Sequence, residues 1–146
     1  MTSDQILLVR SSWPVVATDG DTLAVRFYER LFEIDDGAAR LFAGVDMTSQ
    51  RKKLAQALAV VVSALDNPDA LLPAVAALGK RHASYGVEQR HFDSVGEALI
   101  TALHATLGET FTPDTKAAWA EAYALVASVM RRALTRAAIP ILDDRT

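Results

Sequence analysis

The sequence contains no cysteine. Disulfides, iron–sulfur clusters, thiolate zinc sites and attachment of a metal cofactor through cysteine sulfur are therefore excluded. Charge of one sign is also lacking. Fifteen basic residues stand against eighteen acidic ones, a formal net charge of −3, and a protein that works on phosphate backbones would be basic, so nucleic acid is not expected as a partner. No long hydrophobic run occurs. The longest uncharged stretch, 54–65, is interrupted by Gln56 and Ser63 and falls short of the roughly 18 apolar residues that span a bilayer. The first residues carry no basic stretch, and the apolar run 6–9 is too short for a signal sequence. A cytoplasmic protein with no membrane partner is expected. Aromatic residues are scarce at 7%.

What is present is globular in composition: 146 residues, 51% apolar and 23% charged, the usual size of one domain. We find no strand-like alternation, repeat or linker. One domain over residues 1–140 is expected, with 141–146 a frayed tail. The periodicity is helical throughout. A first helix over 3–17 breaks at Thr18-Asp19-Gly20-Asp21, and a second, capped by Asp21 or Thr22, carries Leu23, Phe27, Leu31 and Ile34 on one face. After Asp35-Asp36-Gly37 a short turn presents Leu41 and Phe42. A helix capped by Thr48 or Ser49 then aligns Leu54, Ala57, Leu58, Val61, Val62 and Leu65. Asn67-Pro68 opens the next segment, but Pro73 suggests that its main helix runs 73–84, closed by Gly86. A helix from 88 or 91 to 107 buries Phe92, Val95, Leu99, Leu103 and Leu107. Thr112-Pro113-Asp114 starts a last one with Trp119, Ala122, Tyr123, Val126, Met130 and Ala133 inward, ending before Pro140. This is an all-α chain of about seven helical segments whose last two pack antiparallel.

Three histidines are present, His82, His91 and His104. His82 lies on the apolar face formed by Leu71, Val75, Leu78 and Gly79. A lone histidine on such a face is more often a satisfied core residue than a metal ligand. Three neighbours favour the ligand. Gly79, one turn earlier, leaves room for something flat. Lys80 and Arg81 could meet carboxylates at a cofactor's rim. A second polar surface stands in Gln50, one turn from Leu54. In isolation Gln50 reads as a first-turn surface residue and Tyr28 as a tyrosine at the core edge.

Together these segments resemble the globin family. Phe27-Tyr28-Glu29-Arg30-Leu31-Phe32 with Leu41-Phe42, Thr48-Ser49-Gln50-Arg51-Lys52-Lys53-Leu54, Leu78-Gly79-Lys80-Arg81-His82-Ala83-Ser84-Tyr85-Gly86-Val87, Phe92 through Leu99 and Ala118-Trp119-Ala120-Glu121-Ala122-Tyr123 occur in the family's order and at its separations, over about residues 4–134. The likeness is to single-domain bacterial haemoglobins and the globin domain of flavohaemoglobins. It implies a globin fold enclosing a pocket for haem b. In that pocket His82 would be the proximal iron ligand, Phe42 would pack on the porphyrin, Tyr28 and Gln50 would be the distal hydrogen-bonding pair, and Leu54 would lie over the iron. Leu78, Arg81, Tyr85 and Val87 would complete the cofactor contacts.

Three departures stand out. Phe92 occupies the place of a tyrosine, and no acid lies near Leu134 to Arg136 where a glutamate would polarise the proximal histidine. Asp36-Gly37 replaces a proline after the second helix. No reductase module is expected after the last helix, so turnover is expected to need an external flavin reductase. The resemblance implies binding of O2, NO and CO, with nitric-oxide dioxygenation as the chemistry, by a monomer or weak dimer. A gas-sensing or partner-binding module without turnover is the alternative.

Overall fold

Capping chemistry sets where the helices begin. The computed structural model describes residues 1–137, and among them seven α-helices follow one another. Helix α1 (Ser3–Thr18) opens on a capping box. The Thr2 hydroxyl accepts from the Gln5 N–H at 3.1 Å, and the Gln5 side chain accepts from the Thr2 N–H at 2.9 Å. Helix α2 (Gly20–Ile34) is capped by Asp19, which accepts from the Thr22 N–H, and not by Asp21 or Thr22. Helix α3 (Asp36–Leu41) is capped by Asp35. Helix α4 (Met47–Ala64) is capped by Asp46, which accepts from the Thr48 N–H and the Ser49 hydroxyl; the expected hydroxyl caps yield to the carboxylate. At α2 Asp21 is itself a carboxylate but lies inside the first turn, so the residue just before the helix, Asp19, caps it; at α4 and against Thr22 the reason is chemical. A carboxylate satisfies the free N–H groups and also meets the positive end of the helix dipole, which a hydroxyl does not. The Asp19 and Asp46 carboxyls are held below the usual range chiefly by side-chain hydrogen bonds, from Thr22 and Ser49 respectively.

Helix α5 (Pro68–Ser84) is continuous through Pro73, which corrects the expected start at residue 73. The proline lacks one i→i−4 bond, but Leu71 and Val75 on either side of it are buried in the core at 2% and 1% exposure. Tertiary packing outweighs one lost bond. Helix α6 (His91–Leu107) ends in a 3-10 turn (Gly108–Thr110), and α7 (Pro113–Ala137) begins beyond it. Thr112 caps α7 by accepting from the Thr115 N–H. The end of that helix before Pro140 and the tail 141–146 lie outside the described residues, as does the boundary at 140.

The core lies where α5 meets α7 and α2 meets α6, the two most extensive pairings. Gly79 is what lets α5 and α7 approach: a Cβ there would stand 2.7 Å from the Ala133 Cβ and 3.1 Å from the Met130 backbone. The space read as room for something flat is therefore filled by the last helix. Helices α6 and α7 run antiparallel, since Asp93 pairs with Arg131 while Gly96 abuts the Tyr123 ring. Helix α1 is tied on by Trp119, whose indole N–H donates to the Ser12 hydroxyl at 2.8 Å. Its Arg10 donates to the Val62 and Ser63 carbonyls and to Asp66 at the end of α4. Among the described residues no helix is long and apolar enough to cross a membrane.

Candidate functional site

The sequence candidates fall into two groups, one on α2, α3 and α4, the other on α5. In the first, Tyr28 is buried at 6% exposure inside an aromatic cluster. Its ring meets Phe27 edge-on at 4.9 Å, Phe42 at 5.3 Å and Phe32 at 5.8 Å, and Phe32 meets Phe42 at 5.5 Å. Helical spacing explains the placement. Tyr28 and Phe32 are one turn apart on α2, and Phe42 caps the C-terminus of α3. Gln50 sits in the first turn of α4, its N–H donating to the Asp46 carbonyl. Its amide Nε2 donates to the Tyr28 hydroxyl oxygen at 3.1 Å.

That one bond determines what the phenol can do. Its oxygen is engaged as an acceptor, so its own hydrogen is left for a further acceptor. Burial pushes the Tyr28 hydroxyl above its ordinary value, and the Gln50 bond opposes this only in part. The group therefore keeps its proton at neutral pH. It offers a neutral hydrogen-bond donor set in an apolar surround.

In the second group His82 is half-buried on α5. Its Nδ1 lies 2.6 Å from the Leu78 carbonyl oxygen. A carbonyl only accepts, so Nδ1 carries a hydrogen, and in the neutral ring the lone pair is then on Nε2. This is the tautomer in which an imidazole ligates a metal. The helix closes directly behind it: the Val87 N–H donates to the His82 carbonyl at 3.1 Å, and Gly86 takes φ 88°. Tyr85 is exposed, its ring 6.3 Å from the imidazole, and Arg81 is exposed on the flank.

The turn after α5 joins the two groups. A Cβ on Gly86 would lie 3.4 Å from the Leu41 side chain, so this turn rests on the end of α3 next to Phe42. Phe42, Leu54, Leu78 and Val87 pack on the core yet stay only half-buried, as do Gln50 and His82. The apolar face of α4 from Leu54 to Val61 shares this partial cover, whereas Val62 and Leu65 are fully buried. Half-covered apolar walls with one lone-pair nitrogen and one buried hydroxyl fit a flat apolar group that carries a metal.

Sequence reasoning missed two residues. Phe32 completes the aromatic cluster, and helical spacing from Tyr28 was the signal. His91 was not read as a buried residue, yet it is 3% exposed, more buried than His82. It is the first residue of α6, where helical periodicity has no preceding turn from which to assign a face. His104 is exposed and stacks on Phe111. Phe92 and Leu134 are buried, with the Arg131 guanidinium 5.2 Å from the Phe92 ring centre. A cleft of about 500 Å³ between α6 and α7, floored by Gly96 and Tyr123, is lined by none of the candidates.

Residues 25–130 match the sequence profile of the family described as Globin. The chain is 34% identical over 126 residues to a flavohemoprotein of Rhodopirellula baltica, covering 85% of this chain and 31% of that protein. It is 32% identical over 127 residues to a flavohemoprotein of Bacillus subtilis, covering 84% and 31%. It thus spans about a third of the length of these relatives. Its fold is similar to that in a crystal structure of a hexacoordinated heme protein from an anhydrobiotic tardigrade, determined at pH 4. The TM-score is 0.85 at 16% identity, over 92% of this chain and 96% of that one.

Proposed function

Since the chain belongs to the globin family, we propose that it binds haem b between α4 and α5 and holds a diatomic gas there, with His82 as the iron ligand. The observation that carries this reading is the pairing of functions across the site. His82 has its Nδ1–H committed to the Leu78 carbonyl, which leaves the Nε2 lone pair of the neutral ring to give to a metal. Tyr28 has its oxygen committed to Gln50 and its hydrogen left to give.

When bound, the haem iron would supply the site that takes O2, NO or CO and the redox chemistry there. The protein's residues do the rest. The Leu78 carbonyl orients the His82 ring. Phe42, Leu54, Leu78 and Val87 would cover the porphyrin, and Arg81 and Tyr85 would meet its rim. The Tyr28 hydroxyl would donate a hydrogen bond to the bound gas and stabilise partial negative charge on it without adding a full charge to the pocket. Gln50 holds the phenol in place and assists. Such a pocket retains oxygen and suits its use as a reactant. The reaction we propose is nitric-oxide dioxygenation, NO + O2 + e⁻ → NO3⁻, the electron coming from an external flavin reductase. Buried Phe92 and Leu134 make the proximal side apolar and leave His82 a weaker electron donor than a tyrosine–glutamate pair would. A cytoplasmic location and a monomer or weak dimer accord with this role.

The test is the visible spectrum of the purified protein in ferric, ferrous and CO forms, followed by nitrate yield from NO and O2 with a flavin reductase present. Haem spectra with stoichiometric nitrate support the reading. Haem spectra without nitrate would leave oxygen binding and refute the dioxygenation.

A further inference from the structure

The least explained polar group in the molecule is the imidazole of His91. It is buried at 3% exposure. Its Nδ1 accepts from the Glu88 N–H at 2.9 Å, and the His91 backbone N–H donates to the Glu88 carbonyl at 3.0 Å. These reciprocal bonds brace the turn between α5 and α6, directly after the Val87 N–H that holds the His82 carbonyl. An Nδ1 that accepts leaves the ring hydrogen on Nε2, and Nε2 is buried with no hydrogen-bond partner among the described residues. A native N–H left so calls for an explanation.

The other side of the ring faces the corner between α2 and α3. The point above the Gly37 Cα where a Cβ would stand is 3.6 Å from His91 Nε2, 3.3 Å from Asp35 Oδ1 and 3.3 Å from the Arg90 guanidinium. Asp35 caps α3, the helix that delivers Phe42. Its carboxyl is held below the usual range, first by the Ser94 hydroxyl, then by the Ala38 N–H, with His91 and Arg90 contributing. Arg90 is in turn paired with Glu88 at 2.7 Å. Asp35, Arg90 and Glu88 are charged groups beside the ring, and His91 stands between the turn behind His82 and the corner before Phe42.

We propose that His91 is a positioning residue for the site: its neutral imidazole pins the turn behind His82, and the protonated ring releases that turn and pairs with Asp35. Protonation puts a hydrogen on Nδ1, which then faces the Glu88 N–H and cannot accept from it. The same proton gives Nε2–H a full charge opposite an ionised carboxylate. The pin is therefore made at higher pH and lost as pH falls. The inference rests on the reading above only in that His82 and Phe42 line the haem site.

Amide exchange of Glu88 tests the pin directly, as protection relative to its intrinsic rate at about pH 8 and about pH 5. Parent protein, His91→Asn and His91→Leu are compared; asparagine keeps an acceptor oxygen near the Nδ1 position but does not titrate. Parent protection should fall roughly fivefold or more in acid, the worth of one hydrogen bond. It should stay high at both pH values in His91→Asn and low at both in His91→Leu. Haem transfer to a scavenging protein should accelerate in acid more for the parent than for His91→Asn. Matching Glu88 profiles in parent and His91→Asn would overturn the pin. Distinct profiles with matching haem transfer would overturn the positioning role. A chain that takes up no haem would contradict the proposed function, and Glu88 exchange would still decide for or against the pin.

Discussion

Replacing Tyr28 by phenylalanine removes one oxygen and little else. The ring contacts to Phe27, Phe32 and Phe42 are made by carbon, so the aromatic cluster should persist. Gln50 loses its acceptor, but it is half-exposed and water can replace the phenol. Stability should therefore change by less than about 1 kcal/mol. The effect on ligand binding should be larger. Tyr28 is 6% exposed, and a hydrogen bond from such a dry donor to a partly charged acceptor is worth roughly 1.5–3 kcal/mol. At about 1.4 kcal/mol per decade, oxygen dissociation should be faster by roughly 10- to 100-fold. The lower end applies if the freed Gln50 amide turns to the ligand. CO carries less charge and should be affected much less, and association should change little. Gln50→Leu should shift oxygen dissociation less, in the same direction, and the double variant should be less than additive because the two groups are bonded to each other. Stopped-flow dissociation of oxygen and CO from parent and variants reads all of this. An oxygen off-rate in Tyr28→Phe within about twofold of the parent would refute the reasoning and leave Tyr28 a packing residue.

Two other consequences follow from the proximal side and the helix packing. Phe92→Tyr combined with Leu134→Glu should raise peroxidase turnover, measured by oxidation of a phenolic dye with hydrogen peroxide; unchanged turnover would show that these positions do not act on His82. Gly79→Ala sets a methyl 2.7 Å from the Ala133 Cβ, and should destabilise the fold by about 1–3 kcal/mol despite alanine's better helix propensity; a urea midpoint equal to the parent's would contradict the close approach of α5 and α7.

The helices were legible because their apolar positions recur at helical spacing, and Asn67-Pro68 and Thr112-Pro113 marked starts that the structure keeps. Boundaries were less so. Asp19 and Asp46 were passed over as caps because Asp21, Thr22, Thr48 and Ser49 close by are cap-forming residues too, and only the folded geometry decides between them. Pro73 read as a break because local chemistry says so, while the burial of Leu71 and Val75 that overrides it is a tertiary fact. Within the site, the juxtaposition of Tyr28 and Gln50, 22 positions apart, came from family resemblance and not from spacing. The same holds for Phe42. Gly79 misled because a glycine next to a candidate ligand does not show which neighbour it admits. His91 was invisible as a positioning residue, since its role depends on Gly37 and Asp35 from a distant corner.

The most direct test of the central claim is the ferrous-CO spectrum of His82→Ala beside that of the parent and of His104→Ala. His82 has its Nδ1 tied to the Leu78 carbonyl, whereas His104 is exposed and stacked on Phe111. Parent and His104→Ala should give the same haem–CO spectrum. His82→Ala should lose it and regain it when free imidazole is added. A normal ferrous-CO spectrum in His82→Ala without added imidazole would contradict the assignment of His82 as the iron ligand.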